Sequence, residues 1–194
     1  LKPSSLQAED ISFILGPRLN ASGRIDHAAL SYQLLTTTDP RQAQELAASL
    51  EKQNIERQKL TSEGLAKAKE EVLAQGPQAP LLWICGADYW EGVLGIIAGE
   101  LVQLFNRPCV VVKVDGEESH GSARSIPEFN IAAALSECRD LLSRFGGHAQ
   151  AAGFTLPTPN LASLQQRLMD IAARCLGGRE LRRQLLIDAE LPLE

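Results

Sequence analysis

Arg144-Phe145-Gly146-Gly147-His148-Ala149-Gln150-Ala151-Ala152-Gly153-Phe154 is the stretch around which the rest of the chain organises itself. It joins two adjacent glycines, one imidazole and a third glycine just where an apolar strand, Phe154-Thr155-Leu156, begins. Paired glycines adopt left-handed dihedrals, so successive backbone N–H groups can point into one concavity and bind an anion. His148 adds a side-chain donor at the rim. The competing structural reading is a helix C-cap glycine followed by a tight turn. On these residues alone both stay open.

Upstream of this segment the pattern alternates. Leu81 to Cys85 is a short apolar run that suits a buried strand, and Gly92 to Phe105 carries Val93, Ile96, Ile97, Leu101 and Leu104 at helical spacing. Pro108 to Val114 is valine-rich and reads as a second inner strand. Asp115-Gly116 is a hairpin signal leading into a strand over Ser119 to Ser125. Asn130 caps a predicted helix that runs through Phe145, with Ile131, Leu135, Cys138 and Leu142 on one face. Downstream, Ala151 to Leu156 is a strand, and a last helix starts at Asn160 with Leu161, Leu164, Leu168, Ile171 and Cys175. These elements predict an α/β fold, a mixed sheet flanked by helices.

The part before Leu81 is helical. Asp10 to Leu15 is mostly apolar and ends at Gly16-Pro17, and Asp26 is placed to cap a short helix bearing Ala29, Leu30 and Leu34. Asp39-Pro40, with Gln42 completing a capping box, opens a long helix from Pro40 to about Gln75 that Gly76-Pro77 closes. At the standard rise it is about 50 Å long. Its middle, Glu51 to Ser62, is polar nearly all round apart from Ile55 and Leu60, the mark of a helix that bridges two bodies. Gly64 weakens it by about 1 kcal/mol relative to Ala and is a candidate bend. The predicted organisation is therefore a helical segment over residues 1–38, a connector helix over 39–76, an α/β domain over 77–178 and the start of a further segment over 179–194. Leu1 in place of an initiator methionine, and an extended stretch from about Leu181 that stops at Glu194, suggest a piece of a longer protein. Residues 1–38 are then expected to expose apolar surface that another domain would cover, and to favour dimerisation without it.

Bulk properties narrow the function. Nineteen Lys and Arg against 24 Asp and Glu give a net charge of −5, which disfavours a protein that coats duplex DNA non-specifically. A narrow cleft holding a few arginines stays compatible with that total. Cys85, Cys109, Cys138 and Cys175 are widely spaced, lack C-x-x-C pairing and sit in apolar contexts, so buried, reduced thiols in a cytoplasmic protein are expected rather than a zinc site. Neither a membrane-spanning run nor a signal peptide is visible.

Two further clusters accompany the glycine–histidine segment. Gly16-Pro17-Arg18-Leu19-Asn20-Ala21-Ser22-Gly23-Arg24 places two arginines and an asparagine in what reads as a loop between helices, and Gly121-Ser122-Ala123-Arg124-Ser125 sets an arginine between two hydroxyls at a strand end. Arginine offers planar bidentate donors to phosphate, and serine hydroxyls complete such a shell. Contacts of this kind orient a nucleic acid without reading its sequence. The structural alternatives are salt bridges from Arg18 and Arg24 to Glu45, Glu51 or Glu56 of the long helix, and an exposed strand charge at Arg124.

Taken in order, GPRLNASGR, GVLGIIAGELV, GSARSIPEFNIAAAL and RFGGHAQAAGF resemble the RecJ-type single-stranded-DNA-specific exonucleases of the DHH phosphoesterase superfamily. The match covers about Ile11 to Leu156 and continues weakly through Leu186-Ile187-Asp188-Ala189-Glu190-Leu191. The resemblance implies a metal-binding DHH domain, a long helix, and a DHH-associated domain that holds substrate across a cleft. Carried onto this chain, it implies phosphate contacts from Ser122, Arg124 and Ser125 and from Gly146, Gly147 and His148. It sets Arg18, Asn20 and Arg24 near the scissile group. It also implies Mn²⁺ or Mg²⁺ in the whole protein, single-stranded DNA as partner, and a single-strand-binding protein as a further candidate partner.

The metal motifs of that family are not found here, so no catalytic or metal-ligating residue is assigned. Two-metal hydrolysis needs several carboxylates and imidazoles converging on the ions. His27, His120 and His148 are the only histidines. Asp26-His27 lies after GPRLNASGR, the wrong place for a DHH signature, and reads as a helix cap and a first-turn surface residue. His120 reads as an exposed residue before the Ser-Arg-Ser strand. Trp90 stands where relatives commonly have histidine, and either stacks on a base or packs over the sheet. Two other functions remain open: a DHH phosphoesterase acting on oligonucleotides, cyclic dinucleotides or pyrophosphate, and a non-catalytic nucleic-acid-binding module.

Overall fold

The computed structural model describes residues 5–76, 78–182 and 187–189. Pro77 and half of the weak match, Leu186, Glu190 and Leu191, lie outside these residues.

The chain opens with three helices, α1 (Ala8–Asp10), α2 (Gly16–Ile25) and α3 (Ala29–Thr36). A π-helical turn, Ile11–Leu15, joins α1 to α2. Gly16 to Arg24 is thus helical, not the loop its composition predicts. The π turn lies immediately before Pro17, where a wider turn accommodates the missing N–H. Packing supplies the rest, since Ala21 and Ser22 are fully buried. Asp26 does not cap α3. Ala28 is the N-cap and carries no side-chain cap, while the His27 Nδ1 accepts the Ala29 N–H at 3.2 Å.

The long helix α4 (Pro40–Gln75) has the expected bounds. Asp39 Oδ1 accepts the Arg41 N–H at 2.9 Å. Gln42 pairs with the Thr37 hydroxyl instead of closing a capping box. The first half of α4 packs on α2 and α3 through Leu46 and Leu50, and the second half packs through Ala68 and Val72 on the sheet domain. Gly64 serves close approach here: a Cβ would lie 2.7 Å from Ile97 Cδ1.

The sheet domain comprises β1 (Leu82–Gly86), α5 (Leu94–Phe105), β2 (Cys109–Lys113), β3 (Glu118–Arg124), α6 (Ile131–Glu137), β4 (Arg144–His148), β5 (Ala151–Pro157) and α7 (Leu161–Leu176). The strand order is β1-β2-β3-β5-β4, with β1 and β2 parallel and the remaining pairs antiparallel. This is the mixed, helix-flanked sheet expected. One core lies between the sheet and α6/α7, built on Trp83, Val110, Ala123, Phe154, Leu164 and Leu168. The other lies between the opposite face and α4/α5, around Ile84, Val111, Leu94 and Ile97.

One element departs from expectation. The helix after Asn130 ends at Glu137, and Arg144–His148 is an exposed edge strand paired with β5. A 3-10 turn at Arg139–Leu141 redirects the chain, and the Ser143 N–H bonds the Thr155 carbonyl at 2.9 Å. No local pattern of β-branched residues announces this strand; pairing with β5 creates it.

Apolar surface is left open on the helical segment, where Phe13, Tyr32 and Leu35 are more than half exposed, as is Ile55 of α4.

Candidate nucleic-acid interface

The register decides which side chains share a face. Alternation along β3 and β5 sends Ala123, Ala152, Phe154 and Leu156 into the α6/α7 core. The intervening residues face the other side in three rows across the sheet: Arg124, Ala151 and His148; Ser122, Gly153 and Gly146; His120, Thr155 and Arg144. Helix α5 covers β2 and part of β3 on this face, α4 packs on β1, and β5 and β4 are left open. The result is a groove of about 430 Å³ whose lining includes Glu91, His120, Ser122, Arg144, Gly146 and Gly153.

Arg124 lies one row beyond this groove and, like His148, is not among the residues that line it. Its Nη1 donates to Ser122 Oγ at 3.1 Å and to the Ala123 carbonyl at 2.8 Å. The approach requires glycine at position 95, where a Cβ would lie 2.6 Å from Arg124 Nη2 and 3.0 Å from Ser122 Oγ. Burial first, then the nearby Arg24 cation, pushes the Arg124 guanidinium below its ordinary pKa. An anion placed there relieves both costs.

Ser125 has a different setting from Ser122. It is 8 % exposed, and its hydroxyl donates to the Phe129 carbonyl at 2.6 Å, closing the turn into α6. Gly146 and Gly147 form strand, not an anion-binding nest, because ladder pairing turns successive N–H groups to opposite edges. Gly147 is needed for its backbone: its φ is 147°, and a Cβ would lie 2.3 Å from the Ala151 carbonyl. Gly146 leaves open floor, with nothing within 4 Å of a built Cβ. The turn Ala149-Gln150 is tied by the Ile131 N–H to the Ala149 carbonyl (3.0 Å) and by the Ser125 N–H to the Gln150 carbonyl (2.9 Å). Those bonds fix exposed His148 in the Arg124 row.

The α2 residues divide. Arg18 is engaged by the long helix, its Nε donating to Glu51 Oε2 at 2.5 Å and its Nη1 to the Ile14 carbonyl at 2.8 Å. That is the structural alternative raised for it. Arg24 reaches the sheet domain: its Nη1 donates to the Gly92 carbonyl at 3.1 Å, while Trp90 Nε1 donates to the Arg24 carbonyl at 3.0 Å. Trp90 therefore clasps α2 to the segment before α5 while staying 42 % exposed.

Asn20 and Arg24 line a small pocket of about 190 Å³ together with Arg57, a residue that sequence reasoning missed. Arg57 donates from Nη2 to Asn54 Oδ1 at 3.0 Å, and its Nε is buried without a partner among the described residues. Burial first, then Arg24, lowers its pKa. Arg24 thus sits between two partly dehydrated guanidiniums, Arg57 on α4 and Arg124 on β3. The signal for Arg57 was faint: one cation in a polar helix segment, three residues after an asparagine that proves to be 1 % exposed.

Among the described residues no group of three His, Cys, Asp or Glu is placed to hold a metal ion, and these residues do not fit a two-metal centre. No helix among them is long and apolar enough to cross a membrane.

Residues 78–174 match the DHHA1 domain family. The chain is 44% identical over 170 residues to the single-stranded-DNA-specific exonuclease RecJ of Bacillus subtilis (strain 168), covering 87% of the chain and 22% of that protein. Two crystal structures of RecJ from Thermus thermophilus superpose with a TM-score of 0.78 over 87% of the chain. The Mg²⁺ complex is 32% identical, with 26% of its chain covered, and the Mn²⁺ complex is 31% identical, with 25% covered. The chain thus spans about a quarter of these relatives.

Proposed function

The chain belongs to the DHHA1 domain family, and on that premise we infer that it is the substrate-binding part of a metal-dependent exonuclease that removes terminal nucleotides from single-stranded DNA. The observation that carries the reading is the glycine-floored sheet face flanked by Arg124 and His148, with Arg24 and Arg57 crowded at its α2 side. Guanidiniums that are partly dehydrated and repel one another gain most when phosphates enter between them. A floor of Gly146 and Gly153 lets a sugar-phosphate backbone approach closely, and nothing in the rows reads base edges. Binding would therefore be tolerant of sequence and dominated by phosphate.

Within this reading Arg124, steadied by Ser122, and His148 hold phosphates, and Asn20, Arg24 and Arg57 continue the path toward α2. Arg18 and Ser125 act by positioning, the first through Glu51 and the second by shaping the β3–α6 turn. Hydrolysis is assigned to a Mn²⁺ or Mg²⁺ centre formed by other residues, and those ions would supply the activated water. The likeness to RecJ supports a cytoplasmic protein of DNA repair and recombination, with a single-strand-binding protein as a candidate partner.

Fluorescence anisotropy with oligothymidylates of increasing length, set against linear and cyclic dinucleotides, tests the assignment. Affinity should rise with length and fall steeply with salt. Equal affinity for a dinucleotide and a long strand would favour a phosphoesterase of short oligonucleotides instead.

A further inference from the structure

The third cross-strand row, His120, Thr155 and Arg144, has no role in the reading above, and its chemistry is specific. Arg144 is exposed, and its guanidinium takes part in none of the side-chain hydrogen bonds or ion pairs among the described residues. It lines the same groove as Ser122 and Gly146. Across the floor, His120 Nδ1 lies 3.3 Å from Thr155 Oγ1 and 3.8 Å from Glu91 Oε1. Glu91 approaches from the α5 side, so Arg144 is the row's uncompensated cation on the open side.

Spacing gives the row its meaning. Rows on one face of a strand are two residues apart, so the Arg124–His148 row and the Arg144 row are separated by about 13 Å. An extended single strand covers that distance in about two nucleotides. Between them lies the row of Ser122, Gly153 and Gly146, two of whose three members have no side chain. Beyond Arg144 the track ends in negative charge: Glu118 begins β3, and its Oε1 accepts from Ser143 Oγ at 2.9 Å.

We propose that Arg144, with the Thr155 hydroxyl and His120, is a second phosphate subsite, which engages a single strand about two nucleotides from the phosphate held at Arg124 and His148. The intervening nucleotide lies over the Gly146–Gly153 floor. This deepens the single-strand reading and rests on it. The plain structural alternative is that Arg144 protects an exposed sheet edge from pairing with other chains.

The test uses the whole 194-residue chain and 5′-phosphorylated oligothymidylates of graded length, with Arg124→Ala and Arg144→Ala compared by anisotropy at several salt concentrations. Arg124→Ala should weaken strands of every length. Arg144→Ala should leave the shortest strands unchanged, weaken longer ones about fivefold and lower the salt slope by about one. Circular dichroism and thermal midpoints establish that both variants fold. If Arg144→Ala leaves long strands as tightly bound as before while Arg124→Ala weakens them, the second subsite is wrong and the single-strand reading stands. An equal loss at all lengths also overturns the subsite. If neither variant alters retention, both the subsite and the reading beneath it fall.

Discussion

Arg124 and His148 pair with the same residue, Ala151, from opposite sides, so their Cα atoms lie about 10 Å apart in one row on one face of the sheet. That spacing lets both hold one strand. Each should therefore contribute on its own. Arg124→Ala and His148→Ala are each expected to weaken oligothymidylate binding about tenfold, and the double variant to show nearly the sum of the two free-energy losses. Anisotropy titrations through a double-mutant cycle check this.

The seat of Arg124 depends on an atom that is absent. Gly95→Ala places a methyl group 2.6 Å from Arg124 Nη2. Alanine is favoured inside helices, so the fold should persist while the guanidinium is displaced from Ser122. The expected outcome is an affinity loss like that of Arg124→Ala with an unchanged thermal midpoint. Retained affinity would show that the guanidinium works from another position.

The clasp between α2 and the sheet domain offers a second route to the same site. Gly92→Ala would drive a Cβ to 1.9 Å from the Arg24 carbonyl, and Trp90→Phe removes the indole donor to that carbonyl. Both should lower strand affinity by moving Arg24, with Gly92→Ala the more severe. Trp90→Phe should destabilise the protein by about 1 kcal/mol. Urea midpoints and binding isotherms on the two variants measure the effects.

Asp88 ties the loop after β1 to α4 through Lys67, whose Nζ lies 2.5 Å from Asp88 Oδ1. The hydrogen bond from Lys67 holds the Asp88 carboxyl below its usual pKa. A depressed folded-state value stabilises the protein above the unfolded-state pKa of about 3.9, and that gain is lost as pH falls through the folded-state value. Lys67→Met should therefore lower the urea midpoint slightly at pH 7, since the pair is exposed and screened. The part of the difference due to Asp88 should shrink as pH falls through its folded-state value.

Legibility in the sequence followed locality. The bounds of α4 were readable because Asp39-Pro40 and Gly76 are local signals, and the inner strands because Leu82–Ile84 and Val110–Val112 are apolar runs. The strand at Arg144–His148 was not, since its partner Ala151–Pro157 supplies what its own residues lack. GPRLNASGR reads as a loop by composition and becomes helix by burial against α4. The site divides in the same way. Arg124, Ser122 and the glycines announced themselves as types, whereas the Glu51 partner of Arg18 and the placement of Arg57 beside Asn20 and Arg24 come from contacts more than 30 residues apart in the chain.

The central claim is a location, and nuclear magnetic resonance measures it most directly. Amide spectra of the isotope-labelled chain titrated with a short oligothymidylate should show the largest shifts at Gly146, His148, Ala151 and Gly153, with α7 undisturbed. Shifts concentrated on α6 and α7, or none at all at saturating strand, would contradict the account.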